Sequence, residues 1–241
     1  MNTNTLSPEA ADAYQAAVKT QFAALKQINQ FDELVAHSIR LEDHKGYLLC
    51  VSELHADDDI AIARLAKWRR EAISFRDSFK PTFDSTKQWL RKLVLDVPDR
   101  ILFFVLDRYG NAIGHLGFAH AMNDQGLMEV DNVIRGVKKV EPGIMTLSSK
   151  TLLRWAVQTI SPQGFHLNTI DSNTHAIEFY IRMGFKISEK KPLRSIEEDG
   201  ETKLVPQTED DKNPPDNYIV CMDYYPPASP DHVVTGPRLK V

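Results

Sequence analysis

The stretch that decides the fold is Asn173-Thr-His-Ala-Ile-Glu-Phe-Tyr-Ile-Arg-Met-Gly-Phe185. Asn173 has the short polar side chain that caps the N-terminus of many helices. Gly184 permits the left-handed backbone conformation with which many helices end. The stretch therefore predicts a helix from Asn173 to Met183, followed closely by a strand.

Upstream of this helix, strands and helices are predicted in a regular order. The run Ile101–Leu106 is rich in β-prone residues and alternates little, as expected of a strand covered on both faces. The turn-like composition of Asp107–Asn111 joins this strand to the next one as a hairpin. The remaining predicted elements of this part are the strands Ala112–His120, Leu127–Ile134 and Phe165–Ile170 and the helix Gly143–Ile160.

Mainly helices are predicted before the hairpin. Ser7-Pro8-Glu9 combines a capping hydroxyl, a proline and an acid, which together favour a helix start. The further elements are a helix over Phe31–Ile39, a strand over Tyr47–Glu53, a helix from Ile60 to about Phe75 capped by Asp57–Asp59, and a helix from Thr82 or Asp84 through Leu93.

The chain is predicted to end in a second hairpin. Its strands are Lys186–Ser195 and Tyr218–Tyr224, joined by a charged loop that contains proline, and Pro226–Val241 is a tail without evident structure. Antiparallel hairpins combined with β-α-β units indicate a mixed, largely antiparallel sheet with helices on both faces. The fold class is therefore α/β with a mixed sheet.

The composition is that of an ordinary globular protein. The 241 residues carry a net charge of −4 and are 42% hydrophobic and 26% charged, values that favour neither a fibrous nor a disordered class. Because no long basic run is present, nucleic acid is not expected as the main partner. Cys50 and Cys221 lie in separate apolar runs and form neither a zinc pattern nor a disulfide framework. With no signal-peptide or membrane-spanning pattern, we expect a soluble, cytoplasmic protein.

Three segments together resemble the GNAT superfamily of N-acetyltransferases. The hairpin 103–117 is similar to the strand-turn-strand that precedes the CoA site in that family, and the segment from Glu129 to Met145 is similar to its next strand, loop and helix start. The stretch 173–185 is similar to the family's ending N-x-x-A-x-x-x-Y-x-x-x-G-F and is the most specific of the three. The resemblance implies a GNAT fold, N-acetyltransferase activity and acetyl-CoA as co-substrate, with no metal.

The resemblance also divides the chain. Residues 1–45 are expected to be an added N-terminal helical extension, 46–225 the acetyltransferase domain and 226–241 a tail. The apolar stripe of the extension must cover either the core or a second subunit. The second of these outcomes would give a homodimer.

The contacts to acetyl-CoA are expected around a loop that departs from the family pattern. Val140 and Met145 stand where the family usually has Gln or Arg and Gly or Ala, and residues 135–139 look like an insertion. Gly143 still permits close approach, and backbone N–H groups at a helix N-terminus attract phosphate whatever the side chains are. The expected cofactor-binding residues are Val133, Gly143, Ile144, Met145, Thr146, Asn173 and Tyr180.

Two of these residues have a structural alternative. By resemblance, Tyr180 faces the CoA sulfur as a general acid, but a packed aromatic side chain would also explain it. By resemblance, Asn173 approaches the pantetheine arm of CoA, and it is in any case expected to cap its helix.

Transfer of an acetyl group from a thioester to an amine requires a neutral amine, a stabilised oxyanion and a protonated leaving thiolate. Glu129 and Asp131 are two residues apart on one predicted strand and therefore share a face, which suits a base for an ammonium group. The alternative is that one or both pair with Arg135 or a lysine. His120 ends a hairpin strand and is a candidate proton relay, or simply a hydrogen-bonded histidine.

A narrower resemblance indicates the acceptor. Residues 66–90 and the phrase Glu129–Gly136 resemble nucleotide-sugar amine acetyltransferases, which implies a nucleotide-linked amino sugar, with a dTDP-3-amino-3,6-dideoxyhexose as best guess. The expected substrate-binding residues are Glu53, Trp68, Arg69, Arg70, Arg76 and Asn132. The arginines would bind phosphates, although charges on a helix are often only a solvated face. Trp68 would stack on a base, or it belongs to the core.

Two other functions stay open at this stage. One is a protein N-terminal or lysine acetyltransferase, which would need an open groove for a peptide. The other is a GNAT-like module that binds CoA or a partner without catalysis, which the altered loop around Val140 and Met145 would favour.

Overall fold

The computed structural model describes residues 5–72, 81–198, 201–208 and 210–227, and all of the following statements concern these residues. The helices are α1 (Pro8–Lys26), α2 (Phe31–Ala36), α3 (Asp59–Glu71), α4 (Phe83–Trp89), α5 (Ile144–Thr159) and α6 (Thr174–Met183). The strands are β1 (Ile39–Arg40), β2 (Gly46–Cys50), β3 (Ile101–Asp107), β4 (Ala112–Ala119), β5 (Leu127–Arg135), β6 (Gly164–Ile170), β7 (Lys186–Glu198), β8 (Glu201–Pro206) and β9 (Asn217–Tyr224).

The nine strands form one sheet in the order β1-β2-β3-β4-β5-β6-β9-β7-β8. The neighbours β5 and β6 run parallel, while the other described neighbours pair antiparallel. The crossover between β5 and β6 contains α5, as a parallel connection requires. The predicted mixed, largely antiparallel sheet is confirmed.

Helices cover both faces of this sheet, as predicted. Because successive strand residues point to opposite faces, Phe103 and Phe104 on β3 report on the two sides. The ring of Phe103 lies 5.5 Å from that of Trp155 on α5, which in turn lies 6.5 Å from Phe22 on α1. The ring of Phe104 lies 6.3 Å from that of Trp68 on α3. We call these two sides the α5 face and the α3 face.

Helix α1 belongs to the core rather than to a free appendage. Ser7 caps it by accepting a hydrogen bond from the Ala10 amide, as predicted. Its apolar stripe, with Val18 and Phe22 fully buried, packs into the main hydrophobic core. The stripe therefore covers the core of the same chain.

The last residue of α1, Lys26, ties this helix to the segment that leads into β3. Its ammonium group is buried and donates to the carbonyls of Val94, Val97 and Arg100 at 3.1, 2.6 and 3.1 Å. Removing one partner of a buried hydrogen bond leaves the other unsatisfied, at a cost of about 1–3 kcal/mol for each group.

Replacing Lys26 with methionine is expected to lower the free energy of unfolding by about 3 kcal/mol, because buried carbonyls lose their donor. Urea denaturation measures this change. The exposed Lys19→Met variant on the same helix is the control and is expected to unfold like the wild type. Equal stability of the two variants would contradict the structural role of Lys26.

Several predicted boundaries in the first hundred residues were wrong. The helix predicted over Phe31–Ile39 ends at Ala36, because Ile39 and Arg40 form β1 and pair with β2. The strand predicted to reach Glu53 ends at Cys50. Glu53 instead begins a short helical turn to His55, which is closed by a hydrogen bond from the Ser52 amide to His55 Nδ1.

The two helices before β3 follow the prediction more closely. Asp58 caps α3 by accepting from the amides of Ile60 and Ala61. The helix ends at Glu71, and the predicted end at Phe75 lies outside the described residues. Thr82 caps α4, which continues as a π-helical turn over Leu90–Leu95.

The segment predicted as a loop between the last two strands contains a further strand, which is a correction. Strand β7 extends to Glu198, beyond the predicted end at Ser195. It pairs with β8, with Leu193 opposite Pro206 at one end and Glu198 opposite Glu201 at the other. Strand β9 then returns between β6 and β7. Charged residues on both exposed faces of this hairpin hid its strand pattern. Of the predicted tail, residues 228–241 lie outside the described part of the chain.

No helix in the described part of the chain is long and apolar enough to cross a membrane.

Candidate active site

The parallel strands β5 and β6 separate along their length, and we call the gap between them the cleft. Their pairing begins with Leu127 opposite Gly164 and ends with Glu129 opposite His166, although both strands continue beyond this point. An irregularity in β5 accompanies the separation: the register with β4 shifts between His115 and Gly117, and Asn132 has a positive φ of 53°. Backbone groups on the facing edges of the separated strands are therefore free to bind a ligand.

One end of the cleft carries the N-terminus of α5. Gly143 occupies the N-cap position with φ +80°, and a Cβ atom added there would meet no atom within 4 Å. Glycine offers no side chain to cap the helix, so the amides of Met145 and Thr146 in the first turn have no side-chain acceptor. Ile144 is buried beside them. A helix N-terminus with open space in front of it suits a phosphate group.

Helix α6 follows β6 on the other side of the cleft. Asn173 accepts from the Ala176 amide at 3.3 Å, so its predicted capping role is confirmed. Tyr180 packs its ring edge-on against those of Phe179 and Phe185. Burial raises the pKa of Tyr180, and the nearby charge of Asp131 raises it further. Its hydroxyl group therefore stays protonated at neutral pH and is available as a proton donor.

On the α3 face, Glu129 lies among histidines. Glu129 and Asp131 pair with Ala119 and Gly117 of β4 and so share this face, as predicted. The Oε2 atom of Glu129 lies 3.6 Å from Nε2 of His166 and 3.8 Å from Nε2 of His120, and Asn168 donates to Oε1 at 3.4 Å. The exposed fraction of the Glu129 side chain is 20%, against 69% for His120. Carboxylate and imidazole are thus brought together at the mouth of the cleft.

His166 is the member of this group that the sequence analysis did not select. Burial lowers its pKa below the ordinary value of 6.5, while the charges of Glu129 and Asp223 partly oppose this effect. At neutral pH its imidazole is therefore mainly neutral and can accept a proton. The signal for it is non-local, because His166 meets Glu129 only through the parallel pairing of β5 with β6.

Asp131 has different partners. Its Oδ1 atom accepts from the amide of Asn132 at 2.8 Å, and its Oδ2 atom lies 3.7 Å from Nη2 of Arg100 and also accepts from the Asn132 side chain. The predicted alternative of pairing with Arg135 or a lysine is thus replaced by a pairing with Arg100. The carboxylate of Asp131 thus faces Arg100, whereas that of Glu129 faces two imidazoles.

The arginines predicted to bind phosphates differ in their surroundings. Arg69 is partly buried, with its guanidinium 4.0 Å from the ring centre of Trp89 and Nη1 donating to Thr86 at 3.3 Å. Burial lowers the pKa of Arg69, and the nearby charge of Asp131 opposes this. Arg70 is exposed. Arg76 lies outside the described residues.

Glu53 and Trp68, also predicted to bind substrate, are engaged within the protein, as is Asn132 through its side-chain bond to Asp131. Glu53 accepts from Arg91 at 2.7 Å in a half-exposed ion pair. Trp68 is 4% exposed and stacks on His115 at 6.1 Å, and Gly136 lies so close to it that an added Cβ atom would overlap the ring. Its burial leaves no exposed ring face for a nucleotide base, so the core alternative holds for Trp68.

Solved structures give the family context. Neither a protein-family model nor a curated protein matches the sequence. A probable GNAT-family acetyltransferase from Chromobacterium violaceum is 16% identical, with a TM-score of 0.53 over 77% of this chain and 85% of that one. The chain has the GNAT fold. FdhC, described as a nucleotide-linked sugar GNAT, is 13% identical with a TM-score of 0.51 over 78% of this chain and 89% of that one.

A third GNAT structure has a different kind of acceptor. A chimera of the spermidine N-acetyltransferase SpeG from Vibrio cholerae is 14% identical, with a TM-score of 0.52 over 75% of this chain and 95% of that one. At these identities the likeness shows the fold. The three segments that resemble the GNAT superfamily correspond to the β3–β4 hairpin, to β5 with the start of α5, and to α6.

The GNAT fold and the open space at Gly143 suggest a test of the cofactor site. Gly143→Ala is expected to raise the KM for acetyl-CoA about tenfold with little change in kcat, because the methyl group enters the space in front of the helix. Steady-state kinetics measure this split. Gly110→Ala is the matched control, since Gly110 has φ +82° and equally open surroundings but lies in the β3–β4 turn. An equal KM in both variants would contradict a phosphate site at Gly143.

Proposed function

We propose that the protein is an acetyl-CoA-dependent N-acetyltransferase that acetylates the amine of a small acceptor. The observation that supports this most is the separation of β5 and β6. The uncapped N-terminus of α5 and the protonated Tyr180 lie on one side of the gap, and the Glu129–His166 pair lies on the other. This arrangement offers an anion site, a proton donor and a proton acceptor around one cleft. The GNAT fold supports the same reaction class.

Acetyl-CoA fits the first half of the cleft. Its phosphates would lie against the amides of Met145 and Thr146 and the open side of Gly143. The pantetheine arm would run along the free edge of β5 near Val133 and past Asn173. Its thioester would then lie between Tyr180 and the α3 face.

Proton transfers follow from the positions of the titratable groups. The pair Glu129–His166 takes the proton from the acceptor's ammonium group, with His166 as acceptor and Glu129 stabilising the imidazolium that results. The free amine attacks the thioester carbon, the carbon–sulfur bond breaks, and the attacking nitrogen loses its second proton as the amide forms. The Tyr180 hydroxyl protonates the leaving thiolate, and the proton released by the nitrogen restores the tyrosine. His120, more exposed, would pass the proton on to water.

For the acceptor we retain a nucleotide-linked amino sugar, with a dTDP-3-amino-3,6-dideoxyhexose as the first candidate. The resemblance of residues 66–90 and the FdhC structure support it. Arg69 and Arg70 remain the phosphate donors in this proposal, while Asn132, at the bulge of β5, would contact the sugar. Trp68, being buried, takes no part.

A polyamine is a second candidate acceptor. The α3 face of the cleft carries Glu129 and Asp131. Asp223 on β9 lies opposite His166 on β6 and adds a third carboxylate. Several carboxylates around a cleft attract a polycation. Spermidine acetyltransferases with the same fold agree with this reading.

A thiol-release assay with acetyl-CoA separates these acceptors. The panel contains dTDP- and UDP-linked amino sugars, spermidine and acetylatable peptides. Turnover of one nucleotide sugar would support the first candidate, and turnover of spermidine alone the second. Turnover of peptides alone would favour a protein acetyltransferase. Absence of turnover together with tight CoA binding would favour a non-catalytic module.

A further inference from the structure

A second cavity lies on the α3 face, at the edge of the sheet away from the cleft. It has a volume of about 680 Å³, is partly open to solvent, and is lined by α2, the start of α3, strands β1 to β3 and the start of β4. This size falls within the range of about 300–1,000 Å³ that small-molecule sites occupy. It shares no lining residue with the cleft, since Glu129, Asp131, Gly143 and Tyr180 are all absent from its wall.

The floor and the rim of this cavity are both apolar. Leu49 and Phe104 are buried beneath it, and Tyr47 forms part of the wall. At the rim, Phe31 and Val35 of α2 have exposed fractions of 67% and 46% and lie one helical turn apart. A flat apolar group placed in the cavity would cover these side chains and lose contact with water.

Hydrogen-bond donors line the same cavity. Arg40 and Arg64 both belong to its wall, and within the described residues neither forms an ion pair or a side-chain hydrogen bond. Arg40 lies 6.0 Å above the ring centre of Tyr47. His55 also lines the cavity, and because its Nδ1 accepts from the Ser52 amide, its neutral ring carries the proton on Nε2.

One acid, Asp58, belongs to the described wall, and one of its two carboxylate oxygens is engaged. Its Oδ1 atom accepts from the amides of Ile60 and Ala61 as the cap of α3. The cavity therefore combines unpaired cations with an apolar floor. With two guanidinium groups against one carboxylate, the described wall attracts an anion more than a cation.

We propose that this cavity is a second ligand site that binds a small organic acid with a flat apolar body, the anionic group at Arg40 and Arg64 and the body against Phe104 and Tyr47. The N-terminal extension supplies α2 and β1, so the site exists only because the extension packs on the core. The site is independent of the acetyl transfer proposed above. Its ligand needs neither acetyl-CoA nor the cleft.

Isothermal titration calorimetry of the full chain tests this with matched probes. Indole-3-acetate and phenylpyruvate are expected to bind at one site per chain, and the neutral indole-3-acetamide at least about tenfold more weakly, because it lacks the charge that the arginines recognise. Comparing the affinities of phenyl phosphate and benzoate then shows whether the site prefers a phosphate or a carboxylate.

Variants locate the binding. Arg40→Gln and Arg64→Gln are each expected to weaken indole-3-acetate binding about tenfold, because each removes a charge-assisted contact. Lys67→Gln, at an exposed lysine of α3 outside the cavity wall, is expected to bind like the wild type. Equal affinity for the acid and the amide would overturn the proposal, as would unchanged binding in both cavity variants or no binding of any of these acids at millimolar concentration.

Discussion

Replacing Glu129 with glutamine is expected to lower kcat/KM about 100-fold, because the imidazolium that forms on His166 loses its stabilising charge. The pH dependence gives the sharper test. The base must be unprotonated, so activity falls as the pH drops through the pKa of His166, and burial places this limb below pH 6.5. Since the charge of Glu129 raises that pKa, its removal is expected to move the limb to still lower pH.

Comparison variants separate the candidates for the base. His166→Gln is expected to remove the acidic limb altogether, whereas His120→Gln leaves it in place. Glu178→Gln, at an exposed carboxylate of α6, is expected to behave as the wild type. Loss of the limb in Asp131→Asn, with a normal profile in His166→Gln, would contradict the assignment and make Asp131 the base.

Replacing Tyr180 with phenylalanine is expected to lower kcat about 100-fold with little change in the KM for acetyl-CoA. The hydroxyl group acts on the leaving thiolate, so its loss slows the chemical step and leaves binding of the phosphates intact. Steady-state kinetics with the best acceptor measure both constants. Because burial raises the pKa of Tyr180, the wild type is expected to show no basic limb from this group below pH 10.

Tyr224→Phe is the matched control for this variant. Tyr224 packs against Phe165 and Phe185 in the same aromatic cluster. Both substitutions keep the ring and remove a hydroxyl group, so both proteins are expected to remain folded, and only the Tyr180 variant loses activity. Equal kcat values in the two variants would show that the tyrosine is only a packing residue.

Local sequence signals predicted the central part of the fold well. The β3–β4 hairpin and the helix from Asn173 to Met183 lie within one or two residues of their predicted bounds, because strand composition, turn residues and caps act between close neighbours. Strand β8 was missed because charged residues cover both faces of its hairpin. Its pairing with β7 gives little hydrophobic alternation to detect.

The candidate site was less predictable because it depends on contacts between distant segments. Glu129 and Asp131 were found from their spacing. Their partners, His166 for Glu129 and Arg100 for Asp131, depend on how distant strands pair and could not be predicted. For Trp68 the sequence left base stacking and core packing open, and Gly136 and His115 bury its ring. The cavity beside Arg40 and Arg64 requires the N-terminal extension to be packed in place. No local pattern contains that information.

Calorimetric titration of the full chain with acetyl-CoA tests the central claim most directly, since it needs no knowledge of the acceptor. The separation of β5 and β6 beside the N-terminus of α5 predicts one binding site per chain with a Kd between about 1 μM and 1 mM, weakened in Gly143→Ala but not in Gly110→Ala. No detectable binding at millimolar acetyl-CoA, or equal affinity in both glycine variants, would contradict the account.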